Sequence, residues 1–200
     1  MTFIPEQRLE NRASVLWRQH RLEPGFDCEP LLDALSLGLL WDALSADVLG
    51  ALKADEAMVI LNEARLSDFQ ANPGLERFTV GHEVGHWLFH ADDARNAALP
   101  MLEGGRTWCR DGSREPAEIQ ADLFASYLLV PTDRLRPLLP SPPWRGWRPV
   151  YELAETFVVS ATAMIVRLER VGAAHRDDNG IPVGGPRPLP ASSGQGSFRF

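Results

Sequence analysis

Cysteine is scarce: Cys28 and Cys109 are the only two in 200 residues. That number excludes a disulfide scaffold, and their wide separation does not resemble a CxxC zinc site, so both read as reduced thiols. No uncharged apolar run approaches the ~20 residues that a bilayer span needs. The opening MTFIPEQRLENR has no charged segment followed by an apolar one, so no signal peptide is read there. A basic excess is missing too, since 20 Lys and Arg stand against 27 Asp and Glu for a formal net charge of -7. An acidic chain argues against non-specific binding to nucleic acid. The expectation is a cytoplasmic protein without a membrane partner. Hydrophobic residues make up 44%, enough at this length for one domain with its own core.

Residues 7–20 carry Leu9, Ala13, Leu16 and Trp17 on one helical face. Turn signals at Pro24-Gly25 precede a short helix expected over 30–37, with Pro30 in its first turn. The pieces LLWDAL, VLGAL and AMVILN are separated by polar or glycine-containing turns, which predicts a small antiparallel sheet whose strongest strand is Met58 to Leu61. A helix follows from about 75 to 89, then a loop over 91–114, then a long helix from Glu115-Pro116 to Pro131. The run PLLPSPPWRGWRPV reads as an irregular crossing whose tryptophans cap the helical core. Two more helices are expected in VYELAETFVV and SATAMIVRLERVG, the second capped by Ser160. The domain is thus expected over 1–175: N-terminal helices 1–37, a core 38–131 and a helical part 149–172. Residues 176–200 are expected to form a mobile tail.

His82-Glu83-Val84-Gly85-His86 is an HExxH motif. On a helix, positions i and i+4 share a face, so both imidazoles can reach one ion while Glu83 sits beside a metal-bound water. The alternatives are two core histidines satisfied by hydrogen bonds, or an exposed accidental pair. A catalytic zinc takes three protein ligands and leaves one position open. His90 shares the face, but it lies about 12 Å along the helix from His82 at 1.5 Å per residue, too far for one ligand sphere. The metzincin spacing fails as well, because the residue six after His86 is Asp92.

The preferred third ligand is Glu118 in SREPAEIQADLFASYLLVP, with Glu115 and Glu103 as rivals. Ile119, Leu123, Tyr127 and Leu128 are read as the inward side of that helix. Asp122, four residues after Glu118, can accept the free N–H of a ligating histidine and fix its tautomer; otherwise it is a carboxylate on a solvated face.

The pieces VILNEARLS, FTVGHEVGHWLFH, CRDGSREPAEIQADLFASYLLVP and LAETFVVSATAMIVRLERVG together resemble the ImmA/IrrE family of bacterial metallopeptidases, over about residues 40 to 172. The resemblance implies zinc histidines at His82 and His86, a catalytic Glu83 and a third ligand at Glu118. Gln120 stands where relatives often carry a glutamate, a change expected to touch only surface charge. The implied fold is α+β: a small antiparallel sheet packed on the HExxH helix and a following glutamate-bearing helix, with additional helices, in a thermolysin-like, zincin-like minimal core of short form. Family members often act on helix-turn-helix repressors, so such a repressor is the implied partner.

The expected chemistry is metallo-endopeptidase hydrolysis. Zinc, with manganese as the other metal considered, activates a water, Glu83 takes its proton and passes it to the leaving amine, and Tyr127, Tyr151 or His175 stabilises the oxyanion. The strand Met58 to Leu61 is expected to align the peptide by strand addition. Two other classes remain open. One is a non-catalytic zinc-containing binding module of a toxin–antitoxin or phage-regulatory pair. The other is a DNA-binding protein, using LAETFVVSATAMIVRLERVG as a helix-turn-helix with Arg167, Arg170 and Arg176.

Overall fold

The computed structural model describes residues 4–91 and 116–188. Asp92, Glu103, Trp108, Cys109 and Glu115, with the expected loop over 91–114, therefore fall wholly or almost wholly outside the described residues. Helix α1 (Glu6–His20) buries the expected Leu9, Ala13, Leu16 and Trp17. Helix α2 (Cys28–Ala34) starts earlier than expected because the Asp27 side chain caps it, accepting from Glu29 N at 3.1 Å. Strands β1 (Gly38–Asp42), β2 (Gly50–Lys53) and β3 (Met58–Asn62) follow, then a short turn and α3 (Leu66–Ala71).

The sheet departs from the expected antiparallel arrangement. Its order is β1-β3-β2, with β1 parallel and β2 antiparallel to β3. Apolar runs mark strands but carry no direction, and residues 43–49 do not make a hairpin. They carry the chain across the end of β3 to its far side. β3 is therefore the central strand, with both edges paired, which overturns the expectation that Met58 to Leu61 receives a peptide by strand addition. Among the described residues β1 and β2 are the edges.

Helix α4 (Pro73–Phe89) packs against β2 and β3 and against α5 (Pro116–Leu129). Val59, Leu61, Val80, Val84, Phe124 and Leu128 join α1 in one apolar core. A second core gathers Leu129, Val130 and the helices α7 (Arg148–Phe157) and α8 (Ala161–Arg170), beyond a short α6 (Thr132–Leu135). Trp144 and Trp147 pack against this second core, as the cap reading expects. Among the described residues no single helix is long and apolar enough to cross a membrane.

The first part of the expected tail is regular structure, and residues 189–200 lie outside the described residues. Strands β4 (Ala174–Arg176) and β5 (Pro182–Gly184) form a hairpin. It needs little core of its own, because Gly184 N donates to Trp144 O at 2.9 Å and Gly146 N to Pro182 O at 2.8 Å. Composition alone missed it for that reason.

Helices α7 and α8 meet at 101°, an angle seen in helix-turn-helix pairs. Their arginines are turned inward or paired. Arg167 is 2% exposed, donates through Nε to Val130 O at 2.8 Å and lies 4.5 Å from the Tyr127 ring centroid. Arg170 pairs with Glu6 at 2.6 Å, and Arg176 holds Glu169 through two nitrogens at 2.8 and 2.9 Å. The residues that carried the DNA-binding alternative are engaged within the chain.

Candidate metal centre

The helix α4 presents His82 and His86 one turn apart, and α5 lies against it with Glu118 and Asp122. His82 Nδ1 is 2.8 Å from Asp122 Oδ1. A carboxylate accepts there, so in the neutral ring the proton sits on Nδ1 and Nε2 carries a lone pair. That Nε2 faces His86 Nε2 at 2.9 Å and Glu118 Oε2 at 3.3 Å, while His86 Nε2 is 3.2 Å from Glu118 Oε1. Ligand atoms from all three residues lie within 4.8 Å of one another. Glu118 Oε2 is buried and accepts no hydrogen bond among the described residues.

Lone pairs from two imidazoles and a carboxylate repel one another unless a cation lies between them. Donors bound about 2.0–2.2 Å from zinc at tetrahedral angles stand about 3.3–3.6 Å apart. The observed separations of 2.9, 3.2 and 3.3 Å lie at or just inside that spacing, and the orphaned Glu118 oxygen would gain its missing partner. The three side chains fit a metal ion.

The protonation of the centre follows from the same contacts. Burial disfavours a cationic His82 ring, but Asp122 and Glu118 outweigh it and lift its pKa to about 10. Burial alone would raise the Glu118 carboxyl, yet the two rings beside it hold it below the usual carboxylate range. Glu83 is 5% exposed, and burial raises its carboxyl against the pull of His82 and His86. A raised pKa makes the Glu83 carboxylate a better proton acceptor.

Of the residues that sequence reading placed in this centre, His82, His86 and Glu118 converge and Asp122 holds His82 Nδ1, while Glu83, beside His82 on α4, is buried. His90 is one turn on, its ring 5.5 Å from that of His86 and outside the cluster. Tyr127 is a correction. It lies nine residues beyond Glu118, half a turn round α5, and its hydroxyl donates to Glu6 under Arg167; burial, then that bond, pushes it up to about 12. It is turned away from the centre and cannot serve an oxyanion there. Tyr151 is exposed and stacked on Trp147 with centroids 6.0 Å apart, and His175 Nδ1 lies 3.0 Å from Gly185 O. Neither belongs to the cluster of converging donors.

Two features of α5 differ from the expectation. Tyr127 and Leu128 are buried as expected and Leu123 is partly buried, but Ile119 is 44% exposed, and Ala121, Phe124 and Ala125 complete the inward side. Gln120 is buried rather than on the surface. What sequence reading missed was the small-residue seam. A Cβ on Gly85 would lie 3.1 Å from Ala121 Cα, and one on Gly81 would lie 3.4 Å from the Ala125 methyl. These positions, four apart on each helix, let the two backbones approach closely enough for carboxylate and imidazole to converge. The signal was present as Gly-x-x-x-Gly in GHEVG and Ala-x-x-x-Ala in ADLFA.

Comparison with known proteins agrees with this geometry. No curated protein sequence matches the chain. Among solved structures it is similar to a Mycobacterium tuberculosis transcriptional regulator, with 16% identity and a TM-score of 0.56 over 82% of this chain and 46% of that one. The chain spans about half the length of that protein, and the likeness shows a shared fold. Residues 58–169 match the family profile of Peptidase M78, the IrrE N-terminal-like domain. That stretch supplies every donor of the centre, and the chain belongs to the Peptidase M78 family.

Proposed function

We propose that the protein is a zinc-dependent endopeptidase whose substrate is another protein, a helix-turn-helix repressor being the class that the family resemblance favours. One observation carries the chemistry: His82 is oriented by Asp122 so that its free Nε2 meets His86 and Glu118 at metal-ligand spacing. His82, His86 and Glu118 would hold the ion. When bound, zinc supplies Lewis acidity, lowering the pKa of a water and polarising a carbonyl. Two imidazoles and one carboxylate suit zinc better than manganese, which prefers oxygen-rich octahedral sites.

The chain's own residues do the rest. Asp122 fixes the His82 tautomer. Glu83 accepts a proton on its carboxylate from the attacking water and releases it to the leaving amine. Among the described residues the outer edge of β2 pairs with no other strand; β2 packs beside α4 and would offer backbone groups to an extended peptide, in place of the paired β3. A repressor substrate would place the protein in the cytoplasm. A solved structure that shares this fold is named a transcriptional regulator, which is in keeping with a regulatory setting.

Elemental analysis of untagged protein, beside Glu118→Ala, tests the reading. The expected result is about one zinc per chain, lost or much weakened in the variant. Wild-type protein that takes up no zinc would overturn it. Zinc-loaded protein that leaves every repressor intact would instead favour a binding module.

A further inference from the structure

Residues 43–49 cross the end of β3, because β1 and β2 lie on opposite sides of that strand. At that end stands Asn62, with 0% exposure. Its Nδ2 donates to Ser45 O at 2.9 Å and Val48 O at 2.8 Å. Its Oδ1 accepts from Leu44 N at 3.2 Å and Ala64 N at 3.1 Å, and its backbone N–H donates to Leu49 O at 3.0 Å. A surface residue adds a second brace: Arg65 Nη1 donates to Ala46 O at 2.9 Å while its Nε holds Asp68 at 2.5 Å.

A buried amide committed almost wholly to one link specifies the path of that link, because any other path would strand its polar atoms away from water. The link ends at Gly50, which pairs with Leu61. Gly50 also lies so close to α4 that a Cβ there would be 2.6 Å from Thr79 Cγ2. Thr79 is one helical turn before His82. Contact therefore runs from Asn62 through residues 44–49 to the first residue of β2, and from there to the helix that carries the metal ligands.

We propose that Asn62 is a positioning residue for peptide binding: it pins the 43–49 link and so sets the edge of β2 relative to His82 and His86. The proposal rests on the reading of β2 as the peptide-binding edge. Without the Nδ2 donors, the Ser45 and Val48 carbonyls lose their buried partner. The link then loosens and the start of β2 loosens with it, while His82, His86 and Glu118 keep their places on α4 and α5.

Two probes on the zinc-loaded full chain separate these effects. Acetohydroxamate needs only the metal, whereas a peptide hydroxamate needs the metal and an ordered strand edge. Asn62→Ala is expected to bind acetohydroxamate like wild type and the peptide hydroxamate about tenfold more weakly, a difference calorimetry resolves. Amide exchange in residues 44–53 should rise while that of 79–86 stays unchanged. Arg65→Ala, on the surface, should weaken the peptide probe in the same direction and carries the test if Asn62→Ala does not fold. Equal loss of both probes, no loss of either, or unchanged exchange in 44–53 overturns the proposal. Wild-type protein that binds acetohydroxamate but not the peptide probe overturns it by removing the β2 edge. Zinc-loaded wild type that binds neither refutes the peptidase reading instead, and the exchange experiment still decides whether Asn62 pins the link.

Discussion

Gly85 and Ala121 meet backbone to backbone where the two metal-bearing helices cross: a methyl at Gly85 would stand 3.1 Å from Ala121 Cα and 3.2 Å from Phe124 Cδ1. A helix backbone cannot yield as a flexible side chain can. Gly85→Ala is therefore expected to push α4 and α5 apart, costing about 1–3 kcal/mol through overpacking against a helix-propensity gain of up to about 1 kcal/mol. Glu118 moves away from His82 and His86, so zinc affinity falls. Gly81→Ala is the control. Its Cβ would meet the Ala125 methyl at 3.4 Å, an ordinary contact, so propensity should leave stability unchanged or higher. Thermal midpoints and zinc affinities of the two variants check this; equal behaviour would remove the seam from the account.

Asp122→Asn tests the histidine's orientation. The His82 Nδ1–Asp122 contact of 2.8 Å fixes the ring and raises its basicity, and losing such a partner weakens metal binding about 10–100-fold. Competition with a zinc chelator of known affinity gives the number. A variant that holds zinc as tightly as wild type would return Asp122 to the solvated helix face.

How much of this was legible in the sequence varies with the kind of signal. His82, Glu83, His86, Glu118 and Asp122 were readable because helical spacing fixes which side chains share a face. The sheet's direction was not, because the run Met58–Leu61 looks the same whether its neighbours are parallel or antiparallel. Large apolar residues misled on α5: Ile119 faces outward, while Ala121 and Ala125 occupy the contact where close approach requires small side chains. Tyr127 and Arg167 read as site or DNA-facing residues because nothing local announces a partner such as Glu6, more than a hundred residues away. Asn62 drew no notice because its partners are backbone carbonyls and N–H groups, which leave no pattern in side-chain types.

The metal-free protein should lose stability as the solution turns alkaline. His82 titrates near 10 in the folded chain, above the unfolded value of about 6.5. Its contribution is complete below about 6.5 and is lost as pH rises toward 10. Glu118 acts in the opposite sense: its lowered pKa gives stability present above about 4.3 and lost as pH falls. Bound zinc would take the place of the His82 proton, so loaded protein should keep its melting temperature between pH 6.5 and 9, and zinc affinity should rise over the same range. Melting curves in chelator and in zinc, at stepped pH, show it. A flat profile in chelator would mean that His82 is not held as a cation between the two carboxylates.

Glu83→Gln separates binding from chemistry. The carboxylate is buried and its pKa raised, so an isosteric amide removes the titrating group without leaving a cavity. Zinc content and melting temperature should match wild type, while cleavage falls about 10²–10⁴-fold, the usual weight of a general base. A variant that binds zinc and cleaves at the wild-type rate would transfer the base role to another group.

Two arginines of α8 should weigh differently in stability. Arg167 is buried, reaching Val130 O and Thr132 Oγ1 at 2.8 and 2.7 Å, so Arg167→Met leaves the carbonyl at the end of α5 without its charged donor. Hydrogen bonds from charged groups contribute about 1.5–3 kcal/mol, and a loss on that order is expected in urea denaturation. Arg170 pairs with Glu6 at the surface, where an ion pair contributes about 0–1 kcal/mol, so Arg170→Ala should shift the urea midpoint little. A helix-turn-helix role predicts the reverse weighting, with Arg170 and Arg176 mattering for duplex binding and Arg167 replaceable. Equal, small stability losses for Arg167→Met and Arg170→Ala would show that the buried network does not brace α5, and would reopen the reading of α8 as a recognition helix.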